Sequence, residues 1–129
     1  MAKSLIAVVN DDTLFLELMH DLLTEEGYRT AIWKEGDKAY EMIKEHRPAL
    51  VILDIRMERP DTGWMVLELM RLDPVTAHIP VIICSADTPR IREKEAYLRE
   101  KGCDVLEKPF LLEDLIGKVR AFIGPATEQ

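Results

Sequence analysis

Ala49-Leu50-Val51-Ile52-Leu53-Asp54 is five apolar residues in a row, closed by a carboxylate. A strand with one wet face alternates apolar and polar side chains, whereas a strand covered by helices on both faces is apolar throughout. Residues 49–53 therefore predict a central strand of a parallel sheet. Pro48 stops the helix before it. A charge directly after such a run is out of place unless the strand ends there at a site that uses it. In open parallel sheets the carboxyl ends of the strands are where ligands bind.

Outward from this run the pattern repeats. Residues 5–9, 29–33, 81–84 and 103–106 read as four more strands, the one over 81–84 opened by Pro80. Between them lie amphipathic stretches. Asp12 or Thr13 caps a first helix bearing Leu14, Leu18, Leu22 and Phe15, Met19, Leu23 at helical spacing, with Gly27 as its stop. Asp37 caps a second through Lys44, with Ala39, Tyr40 and Ile43 inward. A third spans 64–72 and halts at Asp73-Pro74. A charged fourth has Pro89 in its first turn and runs to Lys101, stopped by Gly102. The last turns Leu112, Leu115, Ile116, Val119, Phe122 and Ile123 inward, before Gly124-Pro125. The expectation is an α/β domain over 1–124 with a short polar tail, 125–129. Five β-α units with right-handed crossovers predict a flavodoxin-like, doubly wound parallel sheet, order 2-1-3-4-5, with five helices.

At 129 residues the chain suits one domain with one sizeable core. A net charge of −7 argues against a nucleic-acid surface, which is usually basic. No apolar run approaches the ~20 residues that span a bilayer. The start is too short in apolar residues for a signal peptide. Cys84 and Cys103 read as buried reduced thiols of a cytoplasmic protein, with a redox pair between neighbouring strands as the lesser reading.

In the predicted sheet order, Asp11 and Asp12 follow strand one, Asp54 strand three, Ser85 strand four and Lys108 strand five. Each alone has a bland reading: a helix cap, a strand-end hydroxyl, a loop lysine. Together they converge on one spot. Three carboxylates at 4 Å would repel by roughly 4 kcal/mol per pair at an effective dielectric near 20. A hard divalent cation relieves that repulsion, and an all-oxygen set points to Mg²⁺. Carboxylates, a metal and a lysine describe a site for a phosphoryl group.

Val9-Asn10-Asp11-Asp12, Leu50-Val51-Ile52-Leu53-Asp54-Ile55-Arg56-Met57, Val81-Ile82-Ile83-Cys84-Ser85-Ala86 and Glu107-Lys108-Pro109-Phe110 resemble the receiver domain of two-component response regulators. Gly27-Tyr28 and Gly102 sit at that family's helix stops, so the likeness covers nearly the whole chain. The resemblance implies that Asp54 accepts a phosphoryl group from a phosphohistidine on a histidine kinase or phosphotransfer protein. It implies Mg²⁺ held by Asp12, Asp54 and the backbone carbonyl of Arg56, with Asp11 acting mainly through water. Lys108 would pair with the phosphoryl oxygens. Ser85 would move to meet them, and the result would be a phosphorylation-switched signal in a phosphorelay, read by an unidentified downstream protein. The face of helix four, strand five and helix five often carries output contacts in that family, and here holds Arg90, Arg92, Lys94 and Glu95. Homodimerisation is left open.

The chain departs from the family in two places. Glu58 replaces the usual proline after Met57, and Pro60-Asp61-Thr62-Gly63 makes the loop one residue longer. Val105 stands where an aromatic switch residue is usual, so output is expected to rely on backbone movement after strands three and four. Arg56 and Asp87 occupy positions that tune the lifetime of the phosphoryl group. Trp33 and Trp64 read as packing or rim residues, and His20, His46 and His78 as surface histidines. Two other readings compete. A haloacid-dehalogenase-type phosphatase would want an acid two residues after Asp54, where Arg56 stands. A receiver-like interaction domain that is not phosphorylated is disfavoured by the intact set of site residues. The expected activity is therefore confined to the domain's own aspartyl phosphorylation and dephosphorylation.

Overall fold

A computed structural model describes residues 4–57, 59–86 and 88–125. Five parallel strands form one sheet: β1 (Leu5–Val9), β2 (Arg29–Trp33), β3 (Leu50–Leu53), β4 (Val81–Ser85) and β5 (Cys103–Glu107). Their order is β2-β1-β3-β4-β5, the doubly wound flavodoxin-like arrangement expected. Val9 is level with both Trp33 and Leu53, and Leu53 with Ile83. Ser85 is level with Glu107.

The helices are α1 (Thr13–Glu25), α2 (Ala39–His46), α3 (Thr62–Leu72), α4 (Thr88–Glu93), α5 (Glu95–Glu100) and α6 (Leu112–Ile123). The single charged helix expected after β4 is thus two short segments, broken at Lys94 with φ −104° and ψ 13°. Asp37 lies inside a 3₁₀ turn, Gly36–Lys38, that leads into α2, instead of capping it. Gly27 and Gly102 have φ of 99° and 76°, the left-handed stops that glycine supplies. Arg47 at φ 48° ends α2 one residue before Pro48.

Alternate strand residues feed two cores, as a period of two requires. Ala7, Val9, Val51, Leu53, Val81 and Ile83 pack with Ile43, Leu67, Met70, Ile91 and Leu98. Ile6, Val8, Leu50, Ile52, Ile82 and Cys84 pack with Leu16, Met19, Leu23, Leu115 and Val119. All four residues of β3 are buried, each contributing about 1.5–3 kcal/mol as an upper figure. Cys84 faces the second core and Cys103 packs against the first, so the sheet stands between the two thiols. The redox-pair reading is corrected by that geometry.

The sequence also overcounted what turns inward. Leu112 and Phe122 are exposed, because α6 buries only the stripe of Leu115, Ile116 and Val119. On α1 the stripe of Met19 and Leu23 goes in, while Leu14 and Leu18 face out. Arg71 on α3 binds loops that the sequence left unassigned. It donates to the carbonyls of Lys101, Ala77 and Ile79 at 2.8–3.2 Å. No helix among the described residues is long and apolar enough to cross a membrane.

Candidate functional site

The carboxyl ends of β3, β4 and β5 open on a cleft lined by Asp54, Arg56, Ser85, Ala86, Pro89 and Lys108. Asp54 is the first residue after β3, anchored by its own N–H to the Val9 carbonyl of β1 at 3.1 Å. Its side chain is only 12% exposed, and Lys108 Nζ stands 4.0 Å from its Oδ2. The Arg56 N–H donates to its Oδ1 at 3.3 Å. Burial pushes the Asp54 carboxyl above its ordinary value, opposed by the Lys108 charge, the Ser85 hydroxyl and the N–H groups of Arg56 and Ile55. Ser85 is buried at the end of β4. The Lys108 N–H donates to the Ser85 carbonyl at 2.9 Å, which ties the two strand ends together. The structure therefore brings Asp54, Arg56, Ser85 and Lys108 to one place.

Asp11 and Asp12 are placed differently. Both are exposed. Asp12 Oδ1 accepts from the N–H groups of Leu14 and Phe15 at 3.1 and 3.3 Å, capping α1. Among the described residues no three carboxylate, imidazole or thiol groups are arranged to hold a metal ion. The hollow of three carboxylates expected from the sequence is not formed, and the reason is register. With Val9 level with Leu53, the first residue beyond β1 and beside Asp54 is Asn10. Asn10 is buried, and its Oδ1 accepts from the Asp12 N–H at 2.9 Å. The oxygen donors that remain, the carboxylates of Asp11 and Asp54, the Asn10 amide and the Arg56 carbonyl, are chemically suited to a hard cation, with less negative charge than expected. In the sequence Asn10 is marked only as a polar residue directly after the apolar run 5–9, beside two aspartates.

Two further residues were missed. A Cβ on Gly63 would lie 2.2 Å from the Asp54 carbonyl oxygen and 2.5 Å from Ile55 Cα. Glycine there lets α3 start against the backbone that carries Asp54, and the Gly63 N–H donates to the Ile55 carbonyl at 2.8 Å. Phe15, on the first turn of α1, places its ring face 4.0 Å from Lys108 Nζ. No local motif marks Phe15, because the contact exists only once the first turn of α1 and the loop after β5 are brought together.

The lengthened loop after Asp54 turns through Arg59 and Thr62, where the Arg59 N–H donates to Thr62 Oγ1 at 3.2 Å. Asp61 pairs with Arg90 of α4, and Trp64 meets Tyr97 of α5 edge-on at 6.2 Å. Val105 is partly buried against the first core. Glu58 and Asp87 lie outside the described residues. Trp33 and Trp64 are half-buried packing residues, and His20, His46 and His78 are exposed.

The order of strands and this site define a class. The chain belongs to the response regulator receiver domain family, which residues 6–120 match. It is similar to the polar-differentiation response regulator DivK of Brucella anthropi, 31% identical over 127 residues, covering 98% of this chain and all of that one. A response regulator structure from Chloroflexus aurantiacus superposes with a TM-score of 0.80 at 26% identity, covering 93% of this chain and 97% of that one. The receiver domain of a sensor histidine kinase from Pseudomonas aeruginosa has the same fold. Its TM-score is 0.81 at 22% identity, with 95% and 99% covered, and it carries a magnesium ion coordinated in its active site cleft. The chain is thus a phosphorylation-switched signalling domain of the two-component type. Domains of this family are signalling modules, not typical enzymes, and they work with histidine kinases or phosphotransfer proteins.

Proposed function

We propose that the domain spanning residues 1–124 takes a phosphoryl group on Asp54 from a phosphohistidine partner, with Mg²⁺, and passes the change to a downstream protein in the cytoplasm. The reading rests on one observation: the Lys108 ammonium, the buried Ser85 hydroxyl and the Arg56 N–H converge on a largely buried Asp54. An Asp54 oxygen attacks phosphorus, the phosphorus–nitrogen bond breaks, and the imidazole leaves with the electron pair and takes up a proton. Positioning and charge neutralisation supply most of the acceleration in such transfers. Lys108 offsets charge on the phosphoryl oxygens, and Ser85 donates to one of them once the group is attached. Asp11, Asp54 and the Arg56 carbonyl would hold Mg²⁺, with Asn10 beside them, while Asp12 serves the helix. Bound there, the ion would supply positive charge to offset that of the phosphoryl oxygens.

No acid stands two residues after Asp54, which disfavours the phosphatase reading. Hydrolysis of the aspartyl phosphate by the domain itself, tuned by Arg56, is part of the proposal. Incubation with acetyl phosphate and Mg²⁺ tests it by intact mass. The expected outcome is one added phosphoryl group on the wild type, none on Asp54→Asn, and none with a chelator. Labelling of Asp54→Asn, or an unlabelled wild type, overturns the assignment.

A further inference from the structure

The Lys108 ammonium has two neighbours at the same distance. It lies 4.0 Å from Asp54 Oδ2 and 4.0 Å from the centroid of the Phe15 ring. A free lysine–carboxylate pair closes to about 2.7–2.9 Å. Here it does not, although both side chains are largely withdrawn from solvent, at 23% and 12% exposure. The negative face of an aromatic ring attracts a cation, more strongly when water is excluded. Phe15 is itself held in place. Its N–H donates to the capping Asp12, and its ring meets Phe110, two residues beyond Lys108, in a T-shaped contact at 6.5 Å.

We propose that Phe15 is a positioning residue for Lys108, holding the ammonium out of direct hydrogen-bond contact with Asp54 so that it can turn to an incoming phosphoryl oxygen. A direct, hydrogen-bonded ion pair would tie up the ammonium and blunt the carboxylate as a nucleophile. A lysine with no ring would either collapse onto Asp54 or swing into solvent. Both outcomes slow transfer. The catalytic consequence rests on the phosphoacceptor reading above, but the contact does not.

Two measurements test the proposal. The Lys108 side-chain methylene resonances in the unphosphorylated protein are expected upfield of ordinary lysine positions, through the ring current. Phe15→Leu, which keeps apolar bulk without the ring, abolishes the shift, and Phe15→Tyr restores it. With acetyl phosphate, Phe15→Leu is expected to label about three- to tenfold more slowly, the fold-change a contact of this kind carries. Phe15→Tyr recovers the rate. On a Lys108→Ala background, Phe15→Leu adds no further slowing, which a merely structural role for the ring would not predict. An unshifted Lys108, or equal slowing by Phe15→Leu with and without the lysine, overturns the proposal. A wild type that takes no phosphoryl group overturns the phosphoacceptor reading and the catalytic consequence together. The resonance shift then still decides the contact.

Discussion

At the scale of single residues, the described aspartates serve different ends, and their surroundings decide which. Asp12 serves backbone N–H groups at the start of α1. Asp54 is sunk at a strand end beside an ammonium. Asp73 accepts from the Tyr40 hydroxyl and lies 2.9 Å from Lys44 Nζ, linking the end of α3 to α2. Asp12→Ala is expected to cost about 1 kcal/mol of stability by losing the cap, measured by urea denaturation. Asp12→Ser, which keeps an N-cap oxygen, recovers most of that loss, and labelling of Asp54 persists in it. Asp11→Asn is expected to leave stability nearly unchanged but to weaken Mg²⁺ binding, followed by isothermal titration. Undiminished Mg²⁺ affinity in Asp11→Asn would remove that residue from the metal set. Asp54 was readable from its neighbours in sequence, because a carboxylate closing a buried run is informative by itself. The capping role of Asp12 was less so, since its bonds to Leu14 and Phe15 exist only once the chain has turned into α1.

Whole elements meet the site most tightly at the start of α3. Gly63 sits where a methyl group would strike the Asp54 carbonyl, so the start of α3 packs directly on the backbone that carries Asp54. Gly63→Ala is expected to destabilise the domain by about 1–3 kcal/mol, as overpacking of a close backbone contact does. Its labelling rate should fall as well, because the backbone of Asp54 must shift. Unchanged stability on chemical denaturation would contradict the contact. The same loop reaches α4 through Asp61 and Arg90. That pair joins the segments after β3 and β4, the two expected from sequence to carry the signal in place of an aromatic at Val105. Strands were legible here to within a residue or so, since continuous apolar runs bounded by proline and glycine leave little choice. The break of the charged helix at Lys94 was not, because no proline or glycine marks it.

At the scale of the whole molecule, the tie between α2 and α3 adds one pH-dependent contribution to stability. The Tyr40 hydroxyl, then Lys44, then the Val75 N–H hold the Asp73 carboxyl down to about 2. A carboxyl depressed in the fold binds protons more weakly there than in the unfolded chain. Its contribution is therefore present above the ordinary value near 3.8 and lost as pH falls toward about 2. Thermal unfolding between pH 2 and 5 is expected to show a steeper acid decline in the wild type than in Asp73→Asn. Parallel declines would mean that the tie adds no stability. Burial pushes the Cys84 thiol up to about 12, in keeping with its place in the second core. By itself, the sequence determined the class of fold and the strand ends that matter, because burial on both faces of a sheet writes itself as apolar runs and functional groups sit where those runs stop. Only the tertiary structure decided which side chains line the cleft with Asp54, which cysteine faces which core and which ring meets Lys108. Those outcomes depend on register and on side chains brought together from distant segments, and spacing along one chain carries no record of either.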